Sequence, residues 1–332
     1  MTDQIAYDDN PDLKVLRAMT LGAYDLQKIR IQMGLRLCAN FRSRLSVLAG
    51  EEPDEEGELS EEATKIIDQL KESYKRLTDG VAKNRTLPER RGFTGDELIS
   101  THAELTLIHQ YVSLERQESQ LFRLIQPVLE IFPIYNEYLA KQHGVGVQMA
   151  AIIMTYLDPH KARHPSSFWR YSGLDVGPDG AGRSRREAHL IDHSYKDKNG
   201  EMKIRRGLTY NPLLKTKLVG VLATSFMRSA SPWRDSYNGY KHRLQTDPNR
   251  VKVTIEEWKR RNKAKEDVSR LWAPSRIHHA SLRYMVKMFL LDLWREWRKM
   301  EGLPVERGSY EEEKHRRQHG RDDREAPRDA AE

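Results

Sequence analysis

Apolar residues recur at spacings of three and four along most of this chain. A repeat of that period lines one face of a helix and cannot line one face of a sheet. Ile66, Ile67, Leu70, Tyr74 and Leu77 form one such stripe. Leu98, Leu105 and Val112 fall seven apart with Ile108 beside them, which predicts a coiled-coil-like arm from Asp96 to Ile125 whose seam Glu115 interrupts. Ile277 to Met300, rich in Met, Leu, Phe and Trp, reads as a further helix. Only "AHLIDHSYKDKNGEMKIRRGLTY" reads as strands, two arms about Asn199-Gly200, a dipeptide that favours a tight hairpin turn. The expected class is mainly α: a long helical, coiled-coil-like arm plus a helix-hairpin-helix domain with one small β-hairpin.

Turn residues and charge runs divide the chain. Residues 1–49 read as a helical N-terminal region. Residues 50–62, "GEEPDEEGELSEE", hold eight acids and no base, the composition of a solvated linker. Residues 63–140 form the helical arm, which Pro127 and Pro133 should kink or break. Residues 141–305 form the helix-hairpin-helix domain, and 306–332 a charged tail too poor in apolar residues to fold. One stretch is ambiguous. After Asp25, the alternation from Ile29 to Leu37 fits a strand, while Leu26, Ile29, Met33 and Leu37 also share a helical face.

The 332 residues carry 56 Lys and Arg against 49 Asp and Glu, a formal charge of +7. Ala181 to Lys217 alone hold ten bases against four acids, so most of the excess sits in one short segment. That balance suits a polyanion partner. Cys38 is the single cysteine, so no intrachain disulfide can form, and a reducing compartment is expected. No apolar run approaches the ~20 residues of a membrane span, and the acidic N-terminus lacks the pattern of a signal peptide. The expected setting is cytoplasmic and nucleoid-associated, with no membrane.

The segment "HGVGVQMAAIIMTYLD" places a Gly-Val-Gly corner between two helical stretches. Glycine lets another backbone come close, and the first amides of the following helix have no partner within it. Such a terminus holds phosphate without reading sequence. Lys141, Gly144, Val145, Gly146 and Gln148 are the corner's candidate contacts. Arg183, Arg185, Arg186, Lys203, Arg205, Arg206 and Lys215 are candidates for a backbone-neutralising track.

These pieces, in this order, resemble the C-terminal region of a transposase family, the insertion-sequence group numbered one hundred and ten, or DEDD-type recombinases. The likeness spans roughly Asp96 to Trp297 and rests on the corner segment, "FWRYSGLDVGPDGAGRSRR", "RRGLTYNPLLKTKLVGVLA" and "HHASLRYMVKMFLLDLW". The resemblance implies DNA as partner (RNA as the alternative), self-association through the helical arm, and a link to transposition or recombination of a mobile element. It also implies an N-terminal RuvC-like domain with metal-binding carboxylates, which this sequence does not recognisably contain. Where the family has a recombinase serine in a Ser-Gly pair, Ala181-Gly182 stand here.

The catalytic residues are therefore left open, with Ser184, three positions on from Ala181, and Asp25 as the candidates. Mg²⁺ is expected only if Asp25 belongs to a nuclease layer; otherwise no cofactor or metal is expected. His160 with His164, and His315 with His319, have a zinc-like spacing but no completing ligands in sequence. Trp294 and Trp297 could stack on bases but more simply fill a core. The alternatives to a DNA-binding protein are an active transposase or recombinase and a helical adaptor that binds protein.

Overall fold

A computed structural model describes residues 9–45, 58–78, 87–177, 181–229, 231–264, 268 and 271–305. The tail 306–332 and most of the acidic segment lie outside the described residues. The fold is mainly helical with two small two-stranded sheets, one of them the expected hairpin. It divides into two units, Met1–Ile131 and Phe132–Glu332.

In the first unit, α1 (Pro11–Leu45), α2 (Glu61–Leu77) and α3 (His102–Leu129) pack side by side. Side chains satisfy the opening amides of each helix. Asn10 accepts from Asp12 N at 2.9 Å, and Ser60 from Ala63 N at 3.3 Å. Thr101 and Glu104 form a reciprocal capping box.

The buried line on α1 runs Leu13, Leu16, Thr20, Ala23, Gln27, Arg30, Gly34, Leu37, Phe41, alternating steps of three and four. On α3 the matching line runs Ile108, Tyr111, Glu115, Glu118, Phe122, Ile125, Leu129 with the same alternation, all buried except the partly exposed Glu115. Both are heptad seams, and each contains polar residues. Arg30 donates to Glu118 through Nε, to Glu58 at 2.9 Å and to Tyr111 at 3.4 Å. Gln27 donates to Glu58 at 2.7 Å. Burial opposes the Arg30 charge, but the bonds to Glu118, Tyr111 and Glu58 outweigh it and raise the guanidinium pKa above its ordinary value. Glu115, on the edge of the seam, pairs with Lys71 of α2 at 2.8 Å.

The helical reading of the N-terminal region stands, its strand alternative falls, and three expectations change here. Residues 11–45 form one helix, so Asp25 lies on an exposed helical position and not on a sheet, and the strand layer of the nuclease alternative is not present at that stretch. The face named from Leu26, Ile29, Met33 and Leu37 is not the buried one, since Ile29 is 49 % exposed. The end of the acidic linker is structural: Glu58 joins the Arg30 network, Leu59 is buried, and Ser60 caps α2. The arm does not start a separate domain at residue 63, because α2 and α3 share one core with α1, and Leu105 and Ile108 are filled by that core. Self-association through the arm would have to use the outward Leu107 and Leu124 instead.

Asp96 closes the turn before α3. Its carboxylate accepts from Leu98 N at 3.0 Å and Ile99 N at 2.7 Å, and also from Ser73 and Arg76. Partial burial works against the charge, but these bonds prevail and hold its pKa below the usual carboxylate range. A depressed folded pKa stabilises above the unfolded value and loses that contribution as pH falls through the folded one. Asp96→Ala should therefore cost about 1 kcal/mol at neutral pH. The penalty should fade in urea melts below about pH 4, as the wild-type carboxyl protonates too.

The second unit is built around α11 (Pro274–Met300). Its residues Met285, Val286, Phe289, Leu290, Leu293 and Trp297 are fully buried. A helix that is apolar on nearly every side over its middle turns is a core element. Trp294 and Trp297 belong to this core and are not free for stacking. Trp294 Nε1 donates to Ala162 O at 2.7 Å, and Arg298 donates to Pro159 O, Ala162 O and Pro304 O. Against α11 pack α4 (Pro133–Glu137), α6 (Pro165–Tyr171), α8 (Ala223–Arg228) and α9 (Trp233–Thr246), while α5 (Val147–Tyr156) and α7 (Pro212–Thr216) pack against each other. Residues 217–222, between α7 and α8, are wound as a π-helix. The hairpin is β1 (Ile191–Lys196) with β2 (Met202–Gly207), turning at Asn199-Gly200. Short β3 (Val251–Lys252) pairs with β4 (Leu271–Trp272), and α10 (Ile255–Lys263) lies between them in sequence.

Candidate nucleic-acid interface

The corner is built as a fixed turn with one open side. The stretch before it is less regular than its letters suggest. α4 stops at Glu137 and only a short 3₁₀ turn, Leu139–Lys141, follows. The break is at Tyr138, which is buried and donates its hydroxyl to Asp292 of α11 at 2.8 Å. From there three bonds fix the bend. Val145 N donates to Gln142 O at 3.0 Å. Trp233 Nε1 donates to the Gln142 side chain at 3.2 Å, and Ser225 Oγ donates to Gly144 O at 2.8 Å. Gly144 has φ +97°, and a Cβ there would stand 2.8 Å from Ser229 Oγ and 2.9 Å from Phe226. Only glycine fits this position. Gly146 differs: its φ is −87° and a Cβ would meet nothing within 4 Å. The outer side of the bend, with Lys141, Gly146 and Gln148, faces solvent, and no side chain caps the start of α5. Val145 is half-buried beside them, and Ala150, Ala151, Ile153 and Met154 seal the far side of α5 in the core.

The basic track separates into bases already engaged and bases still available. Arg183 pairs with Asp175 at 2.9 Å. Lys203 pairs with Asp197, and Arg206 with Glu187 and Asp192. Lys215 is half-buried. Its ammonium donates to Arg183 O and lies 4.7 Å from the Tyr210 ring, so it ties the basic loop to α7 instead of facing outward. Burial, then the nearby Arg283 charge, lowers its pKa to about 8, with Asp175 opposing. Arg185, Arg186 and Arg205 are exposed and have no ion pair among the described residues. The hairpin is exposed on both faces, with Met202 63 % and Ile204 74 % accessible. His193 and Arg205 share one face with Tyr195 and Lys203.

Ser184 sits where the basic loop meets a cleft. Its Oγ is 3.0 Å from Nδ1 of buried His189, and its backbone N donates to the same nitrogen at 3.0 Å. Nδ1 therefore carries a lone pair toward the serine. The Ser184 hydroxyl oxygen also accepts from Arg186 N at 3.3 Å.

The cleft, about 710 Å³, is the feature that sequence reading missed. Gly182, Ser184 and Arg186 of the loop form one wall. Arg250, Arg276, Arg283 and Lys287 add cations from the other side, and no carboxylate lines it among the described residues. Arg276, Arg283 and Lys287 stand seven and four apart, one face of α11, and that spacing was the signal available in the sequence. Four half-buried aromatics, Tyr240, Trp258, Trp272 and Tyr284, complete the lining. Tyr240 and Tyr284 stack with ring centres 4.2 Å apart and planes 9° apart. The guanidinium carbons of Arg250 and Arg276 lie 4.0 and 4.3 Å from the centre of the Trp272 ring.

No protein-family model, curated protein or solved structure matches the chain. Among the described residues, no helix is long and apolar enough to cross a membrane, and no three His, Cys, Asp or Glu come together as a metal site would require.

Proposed function

We propose that this chain binds nucleic acid, DNA in the first place, through its phosphate backbone, as the DNA-holding part of a transposition or recombination system. The supporting observation is a concentration of positive charge, only partly offset by the Arg250–Asp247 ion pair at 2.8 Å. The basic loop presents Arg185 and Arg186 without ion pairs and forms one wall of a cleft whose described lining holds five cations and no carboxylate. A protein pays for such a concentration in self-repulsion, and a polyanion relieves it. The open side of the Gly144–Gly146 bend offers a second backbone contact of the kind helix starts give to phosphate. The resemblance in the order of motifs supplies the transposition context.

The test is fluorescence anisotropy with labelled duplex DNA, single strands and RNA across a salt series. Four or more phosphate contacts predict an affinity falling about 100-fold or more from about 50 to about 200 mM salt. Arg186→Gln should weaken binding to every sequence alike and reduce the salt slope by about one. Absence of binding, or binding indifferent to salt, would leave the adaptor alternative.

One observation favours a second reading, an active recombinase: Ser184, which lines the cationic cleft, has its Oγ 3.0 Å from Nδ1 of buried His189. In that reading the serine oxygen attacks a phosphodiester, His189 takes the hydroxyl proton, and the displaced sugar oxygen leaves, with a phosphoserine link conserving bond energy. A covalent protein–DNA adduct lost in Ser184→Ala would support it. Binding without any adduct under all conditions would reject it.

A further inference from the structure

We propose that the cleft bounded by the basic loop, α9, α10 and α11 takes a single unpaired nucleotide of a nucleic-acid strand, with Arg283 meeting its phosphate and the aromatic wall its base. This rests on the nucleic-acid reading above and makes it specific: the corner and hairpin meet backbone from outside, while the cleft receives a base out of its stack.

Arg283 carries the argument. Its guanidinium is half-buried against Gly182, where an added Cβ would stand 3.0 Å from the guanidinium carbon. It makes no hydrogen bond or ion pair within the described residues. Its charged neighbours are cations, Arg276 and Lys215, so the local field repels it. Burial lowers its pKa, with Tyr240 opposing and Arg276 adding to the lowering. A desolvated charge with no counter-charge is costly to keep for folding alone, and planar guanidinium is suited to two phosphate oxygens at once.

The remaining lining fits a base better than it fits an inorganic anion. Trp258 projects from α10, a helix with no buried residue, yet is itself half-buried at the cleft. It has no ring partner among the described residues. An indole placed on an otherwise solvated helix over a cationic hollow gives a base a face to stack on. Ser184, Ser275 and His279 provide polar atoms along the same lining for a base edge or sugar. The volume of about 710 Å³ is that of a nucleotide-sized site. It is too small to admit a duplex, so a paired strand can touch its rim but not fill it.

The experiment uses the full chain, a ten-nucleotide strand with one 2-aminopurine, the matching duplex, a mononucleotide and inorganic phosphate. Wild type should quench or shift the 2-aminopurine signal of the strand. Trp258→Ala and Arg283→Gln should each weaken strand binding at least tenfold, a loss several times larger than that for duplex. Arg283→Gln should also melt no lower than wild type, because it removes an unpaired charge. A structural cation would instead show a lower melting temperature. Equal losses for strand and duplex, or no loss for either, would overturn the cleft as a single-strand site while leaving backbone binding intact. Saturation by mononucleotide or phosphate as tightly as by the strand would overturn strand occupancy and assign a free-ligand site. Failure of every nucleic acid to bind would remove this inference together with the reading beneath it.

Discussion

Gly144→Ala should destabilise the second unit by about 2–6 kcal/mol. Two costs add. A φ of +97° is a conformation that side-chain-bearing residues rarely adopt, worth about 1–3 kcal/mol of backbone strain. The new methyl would stand 2.8, 2.9 and 3.2 Å from Ser229 Oγ, Phe226 Cδ1 and Ser225 Oγ. Phe226 is fully buried and cannot swing away, so the contact behaves as core overpacking, typically about 1–3 kcal/mol. All six tryptophans lie in the second unit, so their fluorescence during urea unfolding reads this unit selectively. The companion variant separates folding from binding. Gly146→Ala points a methyl into open space at a φ of −87°, so stability should stay within about 0.5 kcal/mol. The methyl would sit where the corner is expected to meet a phosphate, and affinity for DNA should fall. If Gly146→Ala binds as wild type does, the bend is a structural turn only.

The second large effect is in the first unit. Arg30→Met should cost about 3–5 kcal/mol, the usual penalty for stranding a buried partner charge. Glu118 is 7 % exposed and would lose its cation, with Glu58 held beside it through Gln27. Glu58, on the segment before α2, and Glu118 would then face each other with no guanidinium between them. Far-ultraviolet circular dichroism, which sees both units, should then lose signal before the tryptophan transition begins. A variant as stable as wild type at neutral pH would mean that the Arg30 network contributes nothing net.

The helical class, the hairpin about Asn199-Gly200 and the bend at Gly144 were legible in the sequence. Each depends on interactions within a few residues: a repeat of three and four, a turn dipeptide, a glycine pair before an apolar run. The α1 seam was not legible, because Thr20, Gln27, Arg30 and Gly34 occupy four of its nine positions. Hydrophobic spacing cannot mark a face on which Gln27 and Arg30 are satisfied by Glu58 and Glu118 from elsewhere in the chain. The same limit hid the cleft. Arg186, Arg250 and Arg283 are spread over about a hundred residues, and nothing in their spacing brings them together.

By itself, then, the sequence determined which segments are helical and where positive charge is concentrated, because periodicity and composition are local properties. Only the tertiary structure decided which of those charges remain unpaired, engaging Arg183, Lys203 and Arg206 with carboxylates and leaving Arg283 without one. Ion pairing falls off steeply with distance and burial, and both are set by how the helices pack.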